Sequence, residues 1–284
     1  MNHILAAVEE VRRERVRGAS WSMSRLARAV IEDHDSGSIS CGDIDRVASS
    51  IVSANRTMAP LYNLANLLRE GCKSGRGMGD IARRVLWYID EARRMLYTVG
   101  EHAVPEGASV ATLSYSSAVE TVLMASKPSM VYVAESLPGG EGIEFARSLR
   151  RSGKPVSLVP DSMIPRIVES SDIVMVGADA VTLDPCIFNK VGSLAAALAA
   201  SRFSKPFIPV FESFKIHPSL GCSSVEVEVR YYRVEGWGDV PYNLFDRVEG
   251  DLVSGAVTEH GVTGFTPEDL KRPLYKFYEL ILGE

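Results

Sequence analysis

The sequence is 284 residues long, enough for a full apolar core and for two domains. Its 31 basic and 36 acidic side chains leave a formal charge of −5 and an isoelectric point near 5.7, which argues against direct nucleic-acid binding beyond a local basic face. Apolar residues make up 46%, yet no uninterrupted run nears the roughly 18 to 20 needed to cross a bilayer; acids stand where a secretory signal would be basic, so the chain reads as soluble and cytoplasmic with no membrane partner.

From the start to about residue 100, apolar residues recur at helical spacing. Ile4, Leu5, Val8 and Val11 form one face, Met23, Leu26, Ala27, Val30 and Ile31 a second, and Ile44, Val47, Ala48, Ile51 and Val52 a third; residues 78 to 99 repeat the pattern. Turn formers interrupt it at Arg17 to Ser20, Ser36 to Ser38 and Gly71 to Gly77. The expectation is a helical N-terminal domain over residues 1–103.

Beyond residues 102–107 the pattern changes to short apolar runs alternating with amphipathic stretches. Val110 to Leu113, Met130 to Ala134, Val156 to Val159, Ile173 to Val176 and Phe207 to Phe211 read as strands, with helices at 117–126, 141–152, 162–170 and 190–203. Such alternation predicts an α/β domain over residues 104–284, built on a doubly wound, mostly parallel sheet. Val225, Val227 and Val229 alternate with charged residues as a half-buried edge or interface strand would. Gly250 to Val253 and Ala256 to Thr258 suggest a last strand region, and Pro267 to Leu282 a closing amphipathic helix.

Neither G-x-G-x-x-G nor G-x-x-x-x-G-K-[ST] occurs, so no dinucleotide fingerprint or P-loop is present and no cofactor is expected. The four cysteines (Cys41, Cys72, Cys186, Cys222) form no C-x-x-C pair and read as buried or incidental thiols. The five histidines show no ligand spacing beside them, so no metal site is expected.

Residues 172 to 193 concentrate the candidate chemistry. The apolar run Ile173 to Val176 ends in Gly177-Ala178-Asp179, and open α/β sheets bind ligands beyond the carboxyl ends of such strands, so Asp179 is expected to face a ligand. Asn189 and Lys190, read as opening an Ala-rich helix, would add donors and positive potential together with that helix's free amides. One carboxylate beside an anion cradle suits a phosphorylated substrate.

Other candidates fit the same picture. Arg17, beside Gly18 and Ala19 in a gap between helices, is a charged fork suited to bidentate phosphate contact, and Arg56 falls under the same argument; on its own stretch each reads first as an ordinary loop arginine. Lys215 follows the apolar run at 207–211 and so emerges on the sheet edge of Asp179. Ser114, Ser116 and Ser117 close the first strand and enter its helix, where hydroxyls cap the helix and also bind anions. No G-x-S-x-G elbow surrounds them, which argues against a hydrolase nucleophile.

In chain order, Arg17-Gly18-Ala19, Arg56, Ser114-Tyr115-Ser116, Glu135-Ser136-Leu137-Pro138 with Glu141-Gly142, Gly177-Ala178-Asp179, Asn189-Lys190-Val191-Gly192 and Glu212-Ser213-Phe214-Lys215 resemble the initiation factor 2B family. That family unites the α, β and δ regulatory subunits of the factor with isomerases of methylthioribose 1-phosphate and ribose 1,5-bisphosphate. The resemblance implies a helical N-terminal domain, a Rossmann-like C-terminal domain and a homodimer formed through the latter. It also implies that Arg17, Gly18, Ala19, Arg56, Ser116, Asn189, Lys190 and Lys215 are sugar-phosphate ligands and that Asp179 is the catalytic acid.

Two positions depart from the isomerases. Ser114 stands where they carry a proton-moving cysteine, and Leu137 where many relatives have arginine. A thiol of pKa ~8.5 is readily tuned to a thiolate, whereas a serine needs an adjacent base, which Tyr115 is not. Two readings stay open. One is a regulatory protein that binds a sugar phosphate or nucleotide, with the α subunit of initiation factor 2 as a candidate partner; the other is an aldose–ketose sugar-phosphate isomerase. The departures favour the first.

Overall fold

The computed structural model describes residues 1–14 and 17–283. Helices come first: α1 (Asn2–Arg13), α2 (Ala19–Asp35), α3 (Ile44–Ser53), α4 (Ala59–Lys73) and α5 (Met78–Ala103). Their apolar stripes face one another, so that Ile4, Met23, Leu26, Val47, Ile51 and Ile81 are fully buried, each contributing roughly 1.5–3 kcal/mol.

An alternating stretch follows: β1 (Ser109–Leu113), α6 (Ser117–Ala125), β2 (Met130–Ala134), α7 (Glu141–Arg151), β3 (Val156–Val159), α8 (Ile164–Ser170) and β4 (Ile173–Val176). Next come β5 (Ala180–Thr182), β6 (Cys186–Lys190), α9 (Ser193–Arg202) and β7 (Phe207–Pro209). The chain ends with β8 (Val229–Val234), β9 (Gly238–Asn243), β10 (Phe245–Glu249), β11 (Ala256–Thr258), β12 (Gly261–Thr263) and α10 (Pro267–Leu282). The closing helix has the bounds its pattern predicts because its ends are marked chemically. The Thr266 hydroxyl accepts the Asp269 N–H at 3.3 Å, Pro267 opens the first turn, and Gly283 leaves the helix at φ +68°.

Five parallel strands lie in the order β3-β2-β1-β4-β7. All four side chains of β4 are buried, as a strand covered on both faces requires. The chain steps outward from β1 to β3 and returns to the other side of β1 with β4. Winding therefore reverses between β1 and β4, where such sheets open a crevice at their carboxyl edge. Ser114 follows β1 and Asp179 follows β4, so the topology sets them on either side of that crevice. The largest apolar cluster runs from the helices into the sheet, joining Ile4 and Leu64 to Val174 and Phe214, and a second gathers Leu96, Val110, Val131, Phe145 and Met175. No helix among the described residues is long and apolar enough to cross a membrane.

Several local expectations are corrected. Asn189 and Lys190 do not open a helix: they end β6, paired antiparallel with Asp246 and Phe245 of β10, and α9 begins only at Ser193. That pairing spans more than fifty residues of chain, which an apolar-run pattern does not register. Val225 and Val227 lie outside any strand, and β8 begins at Val229. The Thr57 side chain donates to the Glu226 carbonyl at 2.5 Å and accepts the Glu228 N–H at 3.3 Å, which holds this segment extended without a ladder. Gly250–Leu252 is a 3-10 turn rather than a strand. The cysteines are not thiols: Cys41 is bonded to Cys72 and Cys186 to Cys222, with Cα–Cα distances of 5.5 and 5.7 Å. The partners are 31 and 36 residues apart, so tertiary packing and not spacing brings them together.

Candidate functional site

A cavity of about 570 Å3 opens at the crevice, walled by α2 and α5 on one side and by the ends of β1, β4 and β6 on the other. Asp179 lies at its base. The Ala19 N–H donates to Asp179 Oδ1 at 3.2 Å, which ties the first turn of α2 to the sheet edge. The Asp179 backbone is held on both sides, its N–H by the Phe188 carbonyl (2.8 Å) and its carbonyl by the Ala59 N–H (3.2 Å). Loss of solvent pushes the Asp179 carboxyl above its ordinary pKa, Lys215, Lys190 and the Ala19 amide pull against that shift, and Glu141 adds to it. A carboxyl shifted this way keeps its proton closer to neutrality, as a proton donor must. Gly177 is required here because a Cβ on it would lie 2.5 Å from Ser116 Oγ.

The lysines are already matched. Lys190 forms an ion pair with Glu141, and Lys215 Nζ lies 2.9 Å from Glu212 Oε2; all four side chains are largely buried. The Asn189 amide nitrogen donates to Ser193 Oγ at 2.9 Å. The expectation that the first amides of α9 are free for a ligand fails, since the N–H groups of Gly192 and Leu194 both donate to Asp246 Oδ2, at 2.8 and 2.9 Å. A carboxylate at a helix N-terminus fills the place of an external anion.

Ser114 has an unusual setting. Its φ is +62°, in the left-handed region that a non-glycine residue adopts at a cost, and its N–H donates to Ser136 Oγ at 2.7 Å. Its hydroxyl donates to Glu141 Oε1 at 3.4 Å, the oxygen that also bears the Lys190 ion pair, while the buried Oε2 has no hydrogen-bond partner. Glu141 starts α7 hard against the end of β2, where a Cβ on Gly142 would meet the Ala134 carbonyl at 1.9 Å. The sequence motif that contains Glu141 assigns it no role. An acid opening the helix after the second strand, on the same sheet edge as Asp179, was the pattern that could have placed it.

Arg17, Gly18, Ala19, Ser116 and Ser117 also line the cavity, the Arg17 guanidinium lying over Trp21, 4.9 Å from the ring centroid. Ser116 caps α6 by accepting the Val119 N–H at 3.3 Å. Arg56 is not among the lining residues. It follows α3, points to the segment before β8 and meets Glu226 at 3.2 Å in an exposed pair, so its expected place beside the other ligands is corrected. Four lining arginines lie outside the sequence motifs: Arg25, Arg28, Arg93 and Arg230. The first two continue the face that Trp21 begins on α2, a helical spacing readable in the sequence once that face is known to line a cavity.

Comparison with known proteins gives the arrangement its context. The sequence model of the Initiation factor 2 subunit family matches residues 43–264. The translation initiation factor eIF-2B subunit 2-like protein of Pyrococcus abyssi is 30% identical over 282 residues, covering 95% of this chain and 99% of its own. The ribose 1,5-bisphosphate isomerase of Archaeoglobus fulgidus is 28% identical over 231 residues, covering 77% of this chain and 73% of its own. The crystal structure of the Pyrococcus horikoshii OT3 translation initiation factor eIF-2B superposes with a TM-score of 0.86 at 29% identity, covering 95% of this chain and 99% of that one. Helices followed by a five-stranded parallel sheet, a carboxyl at its crevice and a family match across most of the length agree: the chain belongs to the Initiation factor 2 subunit family.

Proposed function

We propose that this chain binds a phosphorylated sugar or nucleotide in the cavity at the sheet crevice and acts as a regulatory-type member of its family, with little or no conversion of the ligand. The observation that carries the reading is Asp179, its carboxyl pKa raised, facing a cavity that arginines and the first turn of α6 also line. Ser114 supports binding over turnover. Isomerisation of an opened sugar removes one proton and returns another, and an alcohol is a poor partner for Asp179 in that exchange. Exposed apolar side chains on β8 and the turn after it, Tyr231 at 64% and Trp237 at 83%, support pairing with a second copy.

One contact favours isomerase activity as a second reading. Glu141 sits beside the Ser114 hydroxyl, so a carboxylate is within reach of its proton, although Lys190 competes for the same oxygen. Two measurements separate the readings: thermal shift with sugar phosphates and nucleotides in parallel, and NMR of sugar-phosphate interconversion. Stabilisation without conversion is expected for the unaltered protein. Ser114→Cys is expected to gain measurable turnover that Asp179→Asn then removes. Robust conversion with Ser114 in place would transfer the function to the isomerase reading.

A further inference from the structure

Among the residues that line the cavity, Lys215 is supported from behind by groups outside the lining. It closes the 3-10 turn Ser213–Lys215, and its ion-pair partner Glu212 stands just before Ser213. The support comes from β11, which runs beside the end of β7: the Ser254 N–H donates to the Phe207 carbonyl and the Phe211 N–H to the Val257 carbonyl, both at 3.0 Å. Two residues on from Phe211 and two on from Val257, this parallel course brings Ser213 against Glu259.

Glu259 is 2% exposed and belongs neither to the sequence motifs nor to the cavity lining. Its Oε1 accepts the Ser213 N–H at 3.0 Å, the Ser213 hydroxyl and, at 2.8 Å, the Tyr88 hydroxyl; Oε2 accepts the same N–H at 3.1 Å. Tyr88 is fully buried on α5, next to the cavity-lining Ile89 and Asp90. One carboxyl thus joins the helical wall of the cavity to the turn that carries Lys215. No lysine or arginine among the described residues pairs with it; His260 Nε2 lies 3.8 Å away, and burial holds the His260 pKa down. Burial pushes the Glu259 carboxyl above its ordinary range, while the bonds from Ser213 and Tyr88 pull the other way.

We propose that Glu259 is a positioning residue, which fixes Lys215 at the cavity by locking Ser213 to Tyr88. The Lys215 N–H donates to the Glu212 carbonyl at 2.8 Å and the Ile216 N–H to the Ser213 carbonyl at 3.0 Å, so a shift of Ser213 is carried to Lys215 through the turn itself. At the far end Asn63 of α4 donates to the carbonyls of Phe214 and Ile216, at 2.7 and 2.8 Å. Releasing Glu259 therefore pivots the turn about Asn63 and swings the Glu212–Lys215 pair without unravelling it. The consequence for a ligand rests on the proposed function; the placement of Lys215 does not.

The test uses the full chain with Glu259→Gln, Ser213→Ala and Tyr88→Phe. Lysine Nζ resonances are followed by NMR with Lys190 as the internal reference, and ribose 5-phosphate is titrated calorimetrically. Glu259→Gln sets an amide donor among donors, and the two hydroxyl deletions remove a contact without changing charge. All three are expected to move the Lys215 resonance, Glu259→Gln the most, and to leave that of Lys190, which pairs with Glu141, in place. Glu259→Gln should also weaken ribose 5-phosphate binding by about three-fold or more. A Lys215 resonance that stays still in Ser213→Ala and Glu259→Gln overturns the positioning, as do lysine resonances that all shift together, the mark of general loosening. If Glu259→Gln does not fold, the two hydroxyl deletions decide in the same way. A displaced Lys215 with undiminished ribose 5-phosphate affinity upholds the positioning and takes Lys215 out of the ligand's reach. If no sugar phosphate or nucleotide stabilises the unaltered protein, the proposed function falls and the Lys215 resonance alone decides the positioning.

Discussion

The inner end of the cavity and its mouth are built from the same residue classes to opposite effect. Inside, Lys190 and Lys215 are held out of water and each stands against a buried carboxylate; at the mouth Arg28 and Arg93 are exposed and have no partner among the described residues. A buried charge without a counter-charge costs several kcal/mol, whereas a hydrated guanidinium costs little. Placement therefore decides which cations must carry a protein counter-charge and which are left hydrated. Residue type alone does not: the lysines of the family motifs are ion-paired here, and two arginines outside those motifs are not.

Breaking the inner pairing should have the largest effect. Lys190→Ala or Glu141→Ala leaves one buried charge alone and is expected to cost roughly 3–5 kcal/mol, while Lys190→Met combined with Glu141→Leu should cost far less than the sum. Urea unfolding of the two single variants and the double variant measures the coupling. Strictly additive losses would mean that the pair does not stabilise the inner end as described.

Asp179 sharpens the comparison through pH. Its folded-state pKa is raised above the ordinary 3.8, so the stability it contributes is complete below 3.8 and is lost as pH climbs through the raised value. Asp179→Asn can keep the Ala19 contact without the charge. It should therefore unfold at a higher temperature than the unaltered protein near neutrality, with the gap closing as pH falls toward 3.8. A gap that stays constant across that range would show that the carboxyl is not destabilised by burial. The smallest effect is expected at Arg56. Its exposed pair with Glu226 is not part of the cavity lining, so Arg56→Ala should cost about 1 kcal/mol of stability or less and leave ligand affinity unchanged. A large affinity loss would place Arg56 in the site after all.

Much of the fold was legible because local chemistry marked it. The helical faces of α2 and α5, the buried run of β4 and the cap and stop of α10 each arise from neighbours in the chain, and the position of Asp179 beyond β4 followed from the strand rule. Glu141 was less legible. Its contact with Ser114 depends on where β2 and α7 come to rest, and Gly142 permits that approach only in the folded chain.

The sequence by itself determined the alternation of helix and strand, the edge of the sheet on which Ser114, Asp179 and Lys215 emerge, and the family, because these depend on short-range periodicity and on motifs read in order. Only the tertiary structure decided that Cys41 meets Cys72 and Cys186 meets Cys222, that Asp246 caps α9, that Glu141 and Glu212 pair with the lysines, and that Arg56 pairs with Glu226 while Arg28 and Arg93 line the cavity. These are contacts between elements distant in the chain. Charge pairing and desolvation act through space, and sequence spacing records neither until the chain has closed on itself.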